Sequence, residues 1–139
     1  MTKPVILDTN ILLDIFVFDD QRATTLKESI IRGEIQAIAS QKTLAEFADV
    51  LSRPAFKMDV STQSDTLKYW ESVAQMQDDS ALASAPWKCQ DPDDQIFLDL
   101  SYQFRPAILI SKDSALLRIA KRASEESILI TSDYNAFTL

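Results

Sequence analysis

The chain has 139 residues, enough for one domain with a real core, and carries 46% hydrophobic residues, 25% charged residues and a formal net charge of −7. It has no histidine, one cysteine and one glycine, which excludes an internal disulfide, a thiolate metal site and the glycine-rich phosphate loops, and leaves chemistry to carboxylates. The acidic balance argues against nucleic-acid binding over a broad surface, although a carboxylate cluster awaiting a cation accounts for part of such an excess.

Val5, Ile6 and Leu7 form an apolar run closed by Asp8, so Pro4 to Leu7 is predicted as a buried strand and Asn10 to Phe18 as a short helix. Gln21 to Arg32 reads as a second helix, with Leu26, Ile30 and Ile31 on one face and Gly33 as its stop. Ile35 to Ala39 is a second strand. Ser40 then caps a helix running to about Ser52, where Pro54 forbids continuation. Thr62 to Gln77 reads as one helix, with Leu67, Trp70, Val73 and Ala74 near helical spacing, and Asp78 to Lys88 as loop or weak structure. Asp91-Pro-Asp-Asp94 opens a helix that Pro106 stops. Ala107 to Ile110 is a strand, Ser114 to Ala123 a helix and Ser127 to Ile130 a final strand. Such βα alternation predicts one domain with a mostly parallel sheet, covered by helices on both faces.

Four acidic residues fall where elements end or begin. Asp8 ends the first strand, Asp94 stands at a helix start, and Asp113 follows the strand Ala107 to Ile110. Glu46 lies one to two turns into the helix opened by Ser40, near enough to the same sheet edge for its long side chain to reach it. Ligands bind at that edge in open α/β sheets. Ionised carboxylates packed together repel, and Mg²⁺ or Mn²⁺, which prefer oxygen ligands, offset that repulsion. A divalent ion so held supports phosphodiester hydrolysis by acidifying and orienting a water. Each residue also has a plainer reading as a helix cap or a solvated side chain, and the inference rests on all four together. Ile108-Leu-Ile-Ser-Lys-Asp113 is echoed by Ile128-Leu-Ile-Thr-Ser-Asp133, which makes Asp133 a rival to Asp113; Asp91 and Asp93 compete with Asp94.

These residues carry a family resemblance. Val5-Ile-Leu-Asp-Thr-Asn10, Thr43-Leu-Ala-Glu46, Asp91-Pro-Asp-Asp-Gln-Ile-Phe-Leu98 and Leu109-Ile-Ser-Lys-Asp113 resemble the ordered motifs of a PIN domain. More narrowly, the chain resembles bacterial PIN-domain proteins that act as toxins of toxin–antitoxin systems, and Ser52-Arg-Pro-Ala-Phe56 resembles a segment of that subgroup. It implies a three-layer α/β/α sandwich and a metal-dependent endoribonuclease. Asp8, Glu46, Asp94 and Asp113 are implied as catalytic and metal-binding residues, Mg²⁺ or Mn²⁺ as cofactor, and Asn10 as a residue that holds the site's shape. Relatives commonly have Thr-Gly-Asp where this chain has Ser111-Lys-Asp113.

The implied partners are an RNA substrate and a cognate antitoxin protein, with a homodimer also open and no membrane. Arg53, Lys57, Lys112, Arg118, Lys121 and Arg122 are candidate phosphate contacts, and Trp87 and Tyr134 candidate base-stacking residues. Trp70, Met76 and Leu82 are candidates for an apolar docking surface. No apolar stretch approaches the ~20 residues needed to span a bilayer. The opening residues lack the apolar core of a signal peptide, so a cytoplasmic location is expected. Rival readings are a structure-specific DNA nuclease or a phosphatase built on the same carboxylates, or a catalytically inactive binding module.

Overall fold

The computed structural model describes residues 3–137. Five strands form one sheet: β1 (Pro4–Leu7), β2 (Gln36–Ser40), β3 (Gln75–Gln77), β4 (Ala107–Ile110) and β5 (Ile128–Thr131), in the order β3-β2-β1-β4-β5. Every pairing is parallel, with Val5 in register with Ala37 on one side and Ile108 on the other. Helices α1 (Thr9–Phe16), α2 (Thr24–Ile31), α3 (Gln41–Leu51) and α4 (Val60–Val73) precede β3, and α5 (Gln95–Gln103), α6 (Ser114–Leu117) and α7 (Ala120–Ser124) follow it.

Strand alternation sorts the core into two layers. Val5, Leu7, Ala37, Ala39, Ile108 and Ile110 pack on one face with Ile11, Ile15, Leu26, Phe47 and Trp70 from α1 to α4. Ile6, Ile38, Leu109 and Ile130 pack on the other with Phe97, Leu98, Leu100 and Ala123 from α5 and α7. A sheet buried on both faces needs strands apolar at every position, and β4 is buried throughout. The fold is thus the three-layer α/β/α sandwich that the sequence leads one to expect.

Local chemistry sets the helix starts. Asp8, in extended conformation, caps α1, and Asp59 caps α4 by accepting from Thr62 N at 2.7 Å. Ser40 and Thr43 form a reciprocal capping box at α3, with Ser40 N donating to Thr43 Oγ1 at 2.9 Å. Ser40 is fully buried, so Ser40→Ala is expected to lower stability by about 1 kcal/mol in urea unfolding. Gly33, at φ +71, ends α2 in the left-handed region.

Several boundaries differ from expectation. The helix predicted to reach Gln77 stops at Val73, and Gln75–Gln77 instead adds the edge strand β3. The predicted helix over Gln21 to Arg32 begins with a 3₁₀ turn, Gln21–Ala23, and Ser114 to Ala123 is two short helices. Trp70 is in the core at 1% exposure, so it belongs to no docking surface.

Candidate metal centre

The chain builds β1, β2 and β3 outward on one side, then crosses to place β4 on the other side of β1. The crevice at the C-terminal ends of β1 and β4 is therefore the point where strand order reverses, the usual ligand position in such sheets. Asp8 and Ser111 sit there directly.

Asp8 is buried, and each of its oxygens is engaged. Oδ1 accepts from Thr9 N at 2.6 Å and Oδ2 from the Ser111 hydroxyl at 2.6 Å. The same Ser111 oxygen accepts from Asp113 N at 2.9 Å, so one buried hydroxyl links the ends of β1 and β4. Asp113 Oδ1 accepts from Ala115 N at 2.9 Å, capping α6. Asp8 and Asp113 are thus both caps and site candidates, and the two roles coexist.

Asp94 ends a 3₁₀ turn, Pro92–Asp94, that leads into α5. It is buried, whereas Asp91 and Asp93 are exposed and Asp91 is occupied by capping Asp93 N at 3.0 Å. Asp94 hydrogen-bonds Asp113, and this pair holds a proton at neutral pH. Burial, that hydrogen bond and the charges of Asp8 and Asp113 push Asp94 up to about 8, while Asp113 is lowered by accepting the bond. Burial also raises Asp8, against the hydrogen bond from Ser111, with Asp113 adding repulsion. Glu46, half-buried on α3, is raised by burial and then by the charge of Asp8.

Asp8, Asp94 and Asp113 are therefore electrostatic neighbours at one edge, and Glu46 joins them through Asp8 while also feeling Asp93 and Asp91. Among the described residues, no three His, Cys, Asp or Glu side chains are gathered into a formed metal site. The donor chemistry nevertheless fits a hard divalent cation. Every candidate ligand is oxygen, and Glu46 Oε2 and Asn10 Oδ1 are buried without a hydrogen-bond partner. A groove of about 470 Å³ opens beside Glu46 between α3 and α5, bordered by Lys42, Arg53, Asp93 and Gln95.

Other sequence candidates lie elsewhere. Asp133 is exposed beyond the edge strand β5 and caps Asn135 N at 2.9 Å. Trp87 and Tyr134 are buried at 9% and 5% exposure, so neither presents a ring face for base stacking. Lys112 is held at 2.6 Å by Asp14, and Arg53 pairs with Asp49 at 3.3 Å. Lys57, Arg118, Lys121 and Arg122 are exposed. Sequence reasoning passes over Asp14, a buried acid on α1 whose only signal is its charge inside the apolar run Ile11 to Phe18.

A five-stranded parallel sheet with acidic residues near its switch point defines an α/β domain with a candidate acidic site. The chain matches the PIN domain model over residues 4–115, a span that includes all four carboxylates, and it belongs to the PIN domain family. PIN domains are in general metal-dependent nucleases, hence hydrolases. No curated protein matches the chain.

Proposed function

We propose that this protein is a metal-dependent endoribonuclease that hydrolyses RNA phosphodiester bonds at Asp8, Glu46, Asp94 and Asp113, and that it is the toxin of a toxin–antitoxin pair. The observation that carries the catalytic reading is the buried Asp8 at the end of β1, joined through the Ser111 hydroxyl to Asp113 after β4, with buried Asp94 beside them; burial and acidic neighbours raise Asp8, Glu46 and Asp94. Their mutual repulsion leaves a site that a divalent cation stabilises.

Asp8, Glu46, Asp94 and Asp113 would hold Mg²⁺ or Mn²⁺, and the bound ion would acidify water and neutralise charge on the phosphate. Ser111 fixes the Asp8 carboxylate through Oδ2. Glu46, raised by burial and by Asp8 against the opposing pull of the nearby Thr9 hydroxyl, is suited to take a proton from an attacking water. Arg53, Lys57, Arg118, Lys121 and Arg122 supply exposed positive charge for an RNA backbone on an otherwise acidic chain.

The test is cleavage of single-stranded RNA by the purified protein with Mn²⁺ or Mg²⁺, beside flap DNA and phosphate monoesters. RNA cleavage that falls on the order of 10²-fold or more in Asp8→Ala is expected. Unchanged cleavage in both Asp8→Ala and Asp113→Ala would overturn the site, and preferential cleavage of flap DNA or monoesters would overturn the substrate. The toxin role predicts growth arrest on expression, relieved by the product of a short adjacent gene; growth unaffected by an RNA-cleaving protein would count against it.

A further inference from the structure

Asp14 lies in the second turn of α1 at 4% exposure, where an unpaired carboxylate is costly. It is not unpaired: Oδ2 accepts from Lys112 Nζ at 2.6 Å and from the Tyr134 hydroxyl. Arg22 stacks over the Tyr134 ring at 5.4 Å and is itself held by Asp20 at 2.7 Å. Three distant stretches of chain therefore meet on one buried acid: α1, the loop between β4 and α6, and the segment after β5.

Lys112 is the middle residue of that loop, and both its neighbours bind into the site. Ser111 donates to Asp8 and accepts from the Asp113 amide. The Lys112–Asp14 bond therefore tethers the backbone midway between the Ser111 hydroxyl that holds Asp8 and the Asp113 amide that donates to it. We propose that Asp14 is a positioning residue: by anchoring Lys112 from α1 it fixes the Ser111-Lys112-Asp113 loop, and through it the spacing of Asp8 and Asp113. Lys112 is thereby a strut rather than a mobile phosphate contact. The functional half of this inference rests on the metal-site reading above; the structural half does not.

The full-length chain is compared as wild type, Asp14→Asn, Lys112→Met, Lys112→Arg and the milder Tyr134→Phe. Amide hydrogen exchange without metal reads the loop, and Mn²⁺ titration by calorimetry reads the site. Asp14→Asn and Lys112→Met are expected to speed exchange at Asp113 about tenfold, leave the amides of β1 and α5 unchanged, and weaken Mn²⁺ binding about tenfold. Lys112→Arg restores both, and Tyr134→Phe, which keeps the ion pair, gives a smaller change in the same amide. Exchange that is unchanged at Asp113, or that rises uniformly through the core, overturns the inference. So does a loss confined to Lys112→Met, which would make Lys112 act by itself. Wild-type protein that fails to bind Mn²⁺ overturns the metal-site reading, while the exchange measurements still decide the strut.

Discussion

Asp94→Asn is expected to raise the melting temperature of the metal-free protein at pH 8 by several degrees and to lower metal-dependent hydrolysis on the order of 10²–10⁴-fold. Both effects come from one proton. In the folded chain Asp94 is pushed from its ordinary 3.8 up to about 8, chiefly by burial and by its hydrogen bond to Asp113. The folded state therefore keeps a proton that the unfolded chain has released. Stability from this group is complete below 3.8 and is lost as pH rises through about 8. Asparagine resembles the protonated acid, donates the same hydrogen bond and carries no charge to lose. Its gain should thus grow from pH 4 to pH 8 and vanish in acid. Asp113 works in the opposite sense, since its lowered pKa stabilises above the unfolded value and fails only in acid, so the two windows do not overlap. Thermal melts of both proteins in EDTA across this range check the prediction. Equal or lower stability of the variant at pH 8 would refute the account of the pair.

How far the sequence discloses this protein depends on which force decides each feature. Buried strands are legible because burial on both faces leaves an unbroken apolar run: the strands read over Pro4 to Leu7 and Ala107 to Ile110 coincide with β1 and β4. Helix starts were legible where a cap is chemically explicit, as at Ser40. β3 was hidden because an edge strand is half-solvated; Gln75 and Gln77 look like the tail of α4, and only pairing with Ile38 to Ser40 makes them a strand. The break between α6 and α7 was hidden too, since Leu116, Ile119 and Ala123 keep helical spacing across it.

The site shows the same division. Topology alone placed Asp8 and Asp113 at one edge, because a parallel sheet puts all strand ends together. Asp94 is preferred over its neighbours on spacing, three residues before Phe97 and four before Leu98, and burial separates them physically: Asp91 spends its carboxylate on a local turn while Asp94 is buried. Aromatic and basic candidates fared worse. A tryptophan reads identically as core or as a stacking platform, and Trp87 packs edge-on against Tyr102 in the core. Lys112 reads as a surface charge until Asp14, ninety-eight residues earlier, is seen beneath it.

Divalent cation is expected to raise the melting temperature, and to do so more at pH 8 than at pH 6. A ligand at 100 times its dissociation constant adds about 2.7 kcal/mol, which for a domain of this size is a shift of about 10 °C. Binding requires ionised carboxylates, and Asp94, Glu46 and Asp8 all hold their protons above the ordinary range. At pH 6 part of the binding energy is spent removing the Asp94 proton; at pH 8 much of that proton has already gone. Calorimetry with Mn²⁺ in buffers of different ionisation heat should accordingly show proton release near pH 7 that declines towards pH 9. Asp94→Asn should abolish most of that release, because no proton remains at that position to be displaced. A shift in melting temperature that is larger at pH 6 than at pH 8 would mean that the cation binds away from these carboxylates. Proton release unaltered by Asp94→Asn would place the titrating group elsewhere.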